Sequence, residues 1–241
     1  MISLGRGTYQ ARLAKGAADI SACQALRHLA FHGVAGRDVD AFDAACLHVM
    51  IEMGTQLVAC YRVLRIETGR DITKSYSAQF YDLTALEAFE APMAEMGRFC
   101  VHPDHADADI IRVAWAALTR YVDENGIKML FGCSSFPGTH ATEYADTFAI
   151  LKARHLAPKR WLPKAKSKNI LYYNDNLRDE INVKLGKLRM PPLLRTYLTM
   201  GGWVSDHAVV DLQMNTLHVF TGLEIAAIPP ARARLLRAAA G

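Results

Sequence analysis

Glu95 and Arg98 put a carboxylate and a guanidinium three residues apart in the run Glu95-Met-Gly-Arg98-Phe-Cys-Val, which reads as a short strand stopping before Pro103. Charges beside an apolar run of this kind are expected to be buried, and a buried charge is costly unless it is paired or used. Two explanations stand at this point. One is a structural ion pair at a strand end; the other is a carboxylate and a cation kept for chemistry. A second group of residues is basic. Between Asp146 and Asp175 the chain has no acidic residue, but it holds Lys152, Arg154, Lys159, Arg160, Lys164, Lys166 and Lys168. Such a run is either a solvated face or a dock for an acidic partner. No recognition motif or interleaved aromatic pattern accompanies it, so nucleic acid is not expected.

The surrounding sequence must build elements that position these groups. Thr8–Ala14 alternates Tyr9, Ala11 and Leu13 against polar positions, the pattern of a half-buried strand. Ser21-x-x-Gln24 predicts a capping box, followed by helical spacing of Cys23, Leu26, Ala30 and Phe31 until Gly33. Two apolar stretches meet at Met53-Gly54 as a hairpin, and 68–77 reads as a loop. A short helix is expected over Leu83–Ala91, then the Glu95–Val101 strand, then an amphipathic helix over Ile110–Asn125 closed by Gly126. Lys128–Cys133 predicts a buried strand, His140–Ala153 a helix and Ile170–Tyr173 another strand. The stretch from Leu188 is opened by proline, and Val204–Leu223 alternates in two pieces. The expectation is one mixed α/β domain over 1–241, with a C-terminal extension from about residue 188.

Composition bounds the function. At 241 residues, 51% hydrophobic and 22% charged, the chain can bury a large core and is not expected to be disordered. No apolar run approaches the roughly 18 residues of a membrane span, and the first residues lack a signal peptide's apolar core. A cytoplasmic protein is expected, with any membrane contact peripheral and at the inner face. Five cysteines sit singly in apolar stretches without a CxxC pair, which predicts reduced, buried thiols rather than disulfides. His28 with His32, and His102 with His105, lack a third ligand in a recognisable motif, so no metal site is expected.

In order along the chain, Arg27-x-x-x-Phe31, Asp40-x-x-Asp43, Tyr61-Arg62 and Glu95-x-Gly-Arg98-Phe99 resemble the pattern shared by acyl-homoserine lactone synthases and their ornithine-acylating relatives. The strings RDVDAFDAACLH, ACYRVL, AEMGRFCVHP and MPPLLRTYL look most like the ornithine–acyl-[acyl carrier protein] N-acyltransferase family, over roughly residues 20–220. The resemblance implies a GNAT-like α/β fold, a mixed and largely antiparallel sheet flanked by helices. It also implies a reaction: transfer of a 3-hydroxyacyl group from acyl carrier protein to the α-amine of L-ornithine, giving lyso-ornithine lipid. The donor would be the acyl-phosphopantetheine of the carrier protein, with no permanently bound cofactor.

The residues suit that chemistry. An ammonium must lose a proton before it attacks, and Glu95 is the candidate base, directly or through water. Backbone N–H groups at Phe99, Cys100 and Val101 of a distorted strand would hold the oxyanion. Asp40 and Asp43 would face the cationic side chain of the substrate, while Arg98, Arg62 and Arg27 compete for its carboxylate. Other readings remain beside these. Asp40 and Asp43 could cap a helix suggested by Ala41–Cys46, Arg62 could pair with them structurally, and Phe31 could be core or cleft wall. Cys100 lies near the expected thioester, but direct transfer rather than a covalent cysteine intermediate is expected. Lys152, Arg154, Lys159, Arg160 and Lys164 are candidates for docking the acidic carrier protein, with an anionic membrane as a second partner.

One segment departs from the coenzyme A-using pattern. Where a glycine-rich loop would cradle a pyrophosphate, this chain has His102-Pro-Asp104-His-Ala-Asp107-Ala-Asp109, three carboxylates and no glycine. That favours a carrier-protein donor. The runner-up activity is a homoserine lactone synthase using S-adenosylmethionine; its family has a tryptophan shortly after the Phe31 position, where this chain has His-Gly-Val-Ala-Gly. A non-catalytic module that binds carrier protein or membrane is the third reading.

Overall fold

The computed structural model describes residues 3–176 and 181–241. In chain order its strands are β1 (Ser3–Arg6), β2 (Tyr9–Leu13), β3 (Leu47–Met53), β4 (Gln56–Ile66), β5 (Tyr81–Asp82), β6 (Met93–Val101), β7 (Met129–Pro137), β8 (Lys164–Ala165), β9 (Ile170–Tyr172), β10 (Trp203–Asp211) and β11 (Thr216–Glu224). The α-helices are α1 (Ala17–His32), α2 (Ala108–Glu124), α3 (Ala145–Arg154), α4 (Val183–Arg189), α5 (Pro192–Thr199) and α6 (Pro230–Ala240). The chain divides into two compact units. The first is Met1–Arg65, Ala94–Ile127 and Pro229–Gly241; the second is Ile66–Met93 and Lys128–Ile228. Each is a mixed α/β layer structure with antiparallel strand pairs flanked by helices.

In the first unit the strands run in the order β1-β2-β3-β4-β6. Strand alternation sends successive side chains to opposite faces. On β4, Tyr61 points to α2 and donates from its hydroxyl to the Ala114 carbonyl at 3.1 Å. Its neighbour Cys60 points the other way, into a cluster with Met50, Cys100 and the α1 residues Cys23 and Leu26. Parity therefore sends Arg62 to the α1 face. Both faces of β4 are covered, which is why its sequence is a nearly continuous apolar run. Helix α2 buries Ile110, Val113, Ala114 and Ala117 at helical spacing, and the Asp107 carboxylate caps its start by accepting from Asp109 N at 2.8 Å.

In the second unit β7 pairs with β11, β11 with β10 and β10 with β9, all antiparallel. The long C-terminal stretch thus supplies two strands that lie between β7 and β9. Helices α3, α4 and α5 help bury Phe136, Phe148, Tyr173, Leu194 and Val219. Gly186 lets α4 approach α3 closely, since a Cβ there would stand 2.8 Å from the Asp146 carbonyl oxygen.

Several local expectations change. Helix α1 begins at Ala17, one turn before Ser21, and Gly16 at its N-cap gives no side-chain hydrogen bond, so Ser21-x-x-Gln24 is not a capping box. Gln24 is instead buried and bonded elsewhere. The chain ends α1 as read, with Gly33 at φ 72°. Leu83–Ala91 holds only a 3₁₀ turn, Thr84–Ala88, and the 68–77 loop contains another, Gly69–Lys74. His140–Ala153 splits into a 3₁₀ turn, Ala141–Tyr144, and α3. Ala41–Cys46 forms turns rather than a helix, so Asp40 and Asp43 cap none. Among the described residues no helix is long and apolar enough to cross a membrane, and no group of His, Cys, Asp or Glu is arranged to hold a metal ion.

Candidate active site

Three elements of the first unit and one irregular segment bring the charged residues together. Helix α1 turns Gln24 and Arg27 inward, i and i+3 on one face. Strand β4 carries Arg62 on that same face. The chain from Gly33 to Cys46 returns over α1, held by Asp38 N donating to the Gln24 carbonyl at 3.0 Å, and delivers Asp38, Asp40 and Asp43. Strand β6 supplies Arg98.

These six charges form a closed ring in which every carboxylate lies between two guanidiniums. Arg27 grips Asp43 with both terminal nitrogens, at 2.7 and 2.9 Å. Asp43 also accepts from Arg62 at 2.8 Å. Arg62 in turn holds Asp40 in a two-pronged contact, at 2.5 and 2.7 Å. Asp40 meets Arg98 Nη2 at 3.2 Å, and Arg98 Nε donates to Asp38 at 3.1 Å. Asp38 returns to Arg27 through a 2.8 Å ion-pair contact. Three positive and three negative charges cancel, which is what permits them to be buried. Burial is graded around the ring: the Arg27 and Arg62 side chains are 1% and 3% exposed, whereas Asp40 is 21% exposed and Arg98 13%. The Asp40–Arg98 side is therefore the one a solute can reach.

Supporting contacts hold the deep side. Gln24 Nε2 donates to Asp43 at 2.8 Å, and Arg37 donates to the Gln24 amide oxygen. His48 Nε2 lies 3.0 Å from the Asp43 carbonyl, and Phe42 packs its ring under Arg62 at 5.7 Å. Burial alone would raise the Asp43 carboxyl, but hydrogen bonds from Arg27, Gln24 and Arg62 outweigh it and hold that group well below the usual carboxylate range. Asp40 is lowered too, burial again being overcome, here by Arg62 and Arg98.

Arg98 enters the ring at a distortion of β6. Its φ is 52°, a left-handed conformation that costs a non-glycine residue about 1–2 kcal/mol. Gly97 lies against Arg62, whereas Phe99 packs on Tyr61 and Cys100 on Cys60. Regular alternation would turn 97 and 98 to opposite faces. Arg98 shares the face of Cys100 by parity, and the bulge turns Gly97 onto that face as well, beside Arg62. The distortion expected around Phe99–Val101 is thus present one residue earlier, at Arg98.

Glu95 is buried, two residues before Gly97 and by strand parity on its face. Cys46 links it to the ring. Burial raises that thiol to about 11 against Arg62, with Glu95, Asp40 and Asp43 adding to it, so all four lie within electrostatic reach of one atom. Arg98 contacts Asp38 and Asp40. Arg62 does pair with Asp40 and Asp43. Phe31 packs against the Cys23–Leu26 cluster as part of a wall.

Asp38, Gln24 and His48 belong to this site and were not singled out from the sequence. Asp38 had a signal, standing two residues before Asp40 in an acidic string. Gln24 was misread as a capping residue, and a lone histidine in an apolar strand carries no distinguishing pattern.

The basic residues belong to the second unit. Lys152 and Arg154 end α3, Lys159 and Arg160 lie in the turn beyond, and Lys164 is in β8. Arg154, Lys159 and Lys164 are exposed. Arg160 is exposed as well, but it bonds both oxygens of Glu224 at 3.0 and 3.1 Å and lies over Trp161. The acid-free interval in sequence is thus partly neutralised by β11.

The profile of the Acetyltransferase (GNAT) domain matches residues 25–116, the segment that carries Arg27, Asp38, Asp40, Asp43, Arg62, Glu95 and Arg98. An L-ornithine N(alpha)-acyltransferase of Rhodobacter capsulatus is 34% identical over 232 residues, 88% of each chain. Another of that name from Rhizobium meliloti is 31% identical over 93% of this chain and 83% of its own. Among solved structures, the N-acyl amino acid synthase FeeM from uncultured soil microbes aligns with a TM-score of 0.53 at 10% identity, over 90% of this chain and 92% of that one. At that identity the likeness concerns the fold alone.

Proposed function

The chain belongs to the L-ornithine N(alpha)-acyltransferases, N-acyltransferases with a GNAT domain, and we propose that it moves a 3-hydroxyacyl group from acyl carrier protein to the α-amine of L-ornithine. The product is lyso-ornithine lipid, the first intermediate of an ornithine-lipid pathway. The observation that carries this reading is a buried carboxylate, Glu95, beside a neutral ring of charges whose reachable side presents one carboxylate and one guanidinium. An amino acid with a cationic side chain needs those two complements: Asp40 for the side-chain ammonium and Arg98 for the α-carboxylate. Arg27, Asp43 and Arg62 act behind them, fixing the two reachable groups in place.

Glu95 takes a proton from the α-ammonium, directly or through water, and the freed amine attacks the thioester carbonyl. Backbone N–H groups of Phe99, Cys100 and Val101, just past the bulge, hold the oxyanion, and collapse of the tetrahedral intermediate expels the phosphopantetheine thiol. Acyl carrier protein as donor is supported by the start of α2. There Asp107 already occupies the helix end by accepting from Asp109 N, and Tyr9 donates to the same carboxylate at 2.9 Å. A coenzyme A pyrophosphate would meet negative charge at that place instead of open N–H donors. The exposed cations at Arg154, Lys159 and Lys164 suit an acidic carrier protein, with anionic lipid as a second partner at the inner membrane face.

The reading is tested by supplying 3-hydroxyacyl carrier protein with ornithine, lysine, glutamine, norvaline or S-adenosylmethionine and identifying the products by mass spectrometry. N-acylornithine should dominate. An acyl-homoserine lactone from S-adenosylmethionine would instead establish the runner-up activity, and no transfer to any amine would leave a binding module.

A further inference from the structure

Three thiols gather under α1 in the first unit, and the proposed transfer gives their sulfurs no part. Cys60 and Cys100 lie with their sulfurs 3.6 Å apart, and Cys60 Sγ is also 3.7 Å from the Cys23 carbonyl. Cys60 is on β4 and Cys100 on β6, strands that are neighbours in the sheet. His102 N donates to the Val58 carbonyl at 2.8 Å. That bond is two residues back along one strand and two residues forward along the other, so β4 and β6 run antiparallel with Cys60 opposite Cys100. Directly opposed residues of an antiparallel pair have Cα atoms about 4.5–5.5 Å apart, within the span a disulfide bridges. Two residues further along each strand stand Arg62 and Arg98.

We propose that Cys60 and Cys100 are a modification site, closing into a reversible disulfide under a hydroperoxide and cross-linking the two strands that carry Arg62 and Arg98. The Cys60 thiol is held protonated by its hydrogen bond with Cys100, then by Cys23 and burial. Cys100 is the least buried of the three, 5% exposed against 1% for Cys23 and Cys60, and is the sulfur that meets the oxidant first. Its thiolate attacks one peroxide oxygen, giving a sulfenic acid and releasing hydroxide, which takes up a proton to become water. The Cys60 thiol then attacks the sulfenic sulfur, passing its proton to the sulfenic oxygen, which leaves as a second water. Two thiols lose two electrons and two protons, and one hydrogen peroxide becomes two waters. Small motions of the sulfurs suffice, because the strands already hold the Cα atoms in register.

The test is hydrogen peroxide treatment of the whole protein, with free cysteine in the same tube as a reactivity standard, followed by intact mass and peptide mapping before and after dithiothreitol. The expected result is loss of two hydrogens, one Cys60–Cys100 cross-linked peptide, and full reversal by dithiothreitol. Cys60→Ser and Cys100→Ser should each abolish the cross-link, and Cys133→Ser should leave it. The wild-type map decides the matter even if a serine variant does not fold. Cross-linking to Cys23, irreversible sulfinic acid at Cys100, or an unmodified pair after the free cysteine is consumed would each overturn the proposal.

Discussion

Asp43 and Asp40 carry the same charge and bear different loads. Asp43 holds two nearly sealed arginines and a buried amide, so losing its charge removes one of the two carboxylates from each of two buried guanidiniums. Breaking a buried pair costs about 3–5 kcal/mol, and Asp43→Asn should cost that much in a urea titration. Asp40 lies at the accessible side, where water can replace it. Asp40→Asn should therefore cost less stability, and it should raise KM for ornithine more than for norvaline, which has no side-chain ammonium. Equal losses for the two substrates would assign Asp40 to structure alone. The sign of the pH effect follows from the lowered Asp43 group: its stabilisation is complete above about pH 4 and is lost as pH falls through its folded value. Acid unfolding should accordingly begin at lower pH in wild type than in a variant with a weakened ring, such as Gln24→Ala. Glu95→Gln should keep the fold and lower turnover by about two orders of magnitude or more. Near-normal turnover in the folded variant would remove Glu95 as base. At this scale the sequence told which residue types would matter, since Arg27, Asp40, Asp43, Arg62 and Arg98 all enter one ring. Their mutual pairing was not legible, because it depends on which face of β4 and α1 each residue takes.

Strand β6 shows how an element converts a local cost into position. The left-handed turn at Arg98 interrupts the pleat once and lets adjacent residues 97 and 98 face the same cluster. The distortion expected over Phe99–Val101, as a source of oxyanion donors, lies at Arg98, whose side chain contacts Asp38 and Asp40. Strands and helices with strong periodicity, such as α2 and the β3–β4 hairpin, were readable. Helix α1 was misplaced at its start because Ser21 and Gln24 mimic a capping box while Gln24 serves the ring. Strand β11 offers a test in the second unit. His218 is buried with Tyr81, whose hydroxyl donates to its carbonyl at 2.8 Å and stands 3.1 Å from its Nδ1. Burial lowers the imidazole to about 4, against 6.5 when exposed. Unfolding therefore takes up a proton as pH falls between those values, and stability should decline over that window by roughly 3 kcal/mol. His218→Gln should flatten this part of the profile, measured as the urea midpoint against pH. An unchanged slope would mean another group controls it.

For the whole molecule, the proposed division of labour gives acyl chemistry to the Glu95 side and carrier-protein recognition to the cations of α3, its following turn and β8. Charge reversal at Arg154, Lys159 and Lys164 should weaken use of the acyl carrier protein and leave a free pantetheine thioester nearly unaffected. The wild-type carrier-protein rate should fall as salt shortens the Debye length below about 8 Å. Arg160 is a poorer choice for that test, since Glu224 already holds it. The central claim, acyl transfer to the α-nitrogen, is tested most directly with ornithine carrying nitrogen-15 at the α position only, 3-hydroxyacyl carrier protein, and the purified protein. The account predicts one amide bearing the labelled nitrogen for each carrier-protein thiol released. An amide at the unlabelled δ-nitrogen, or thiol release yielding only free 3-hydroxy acid, would contradict it.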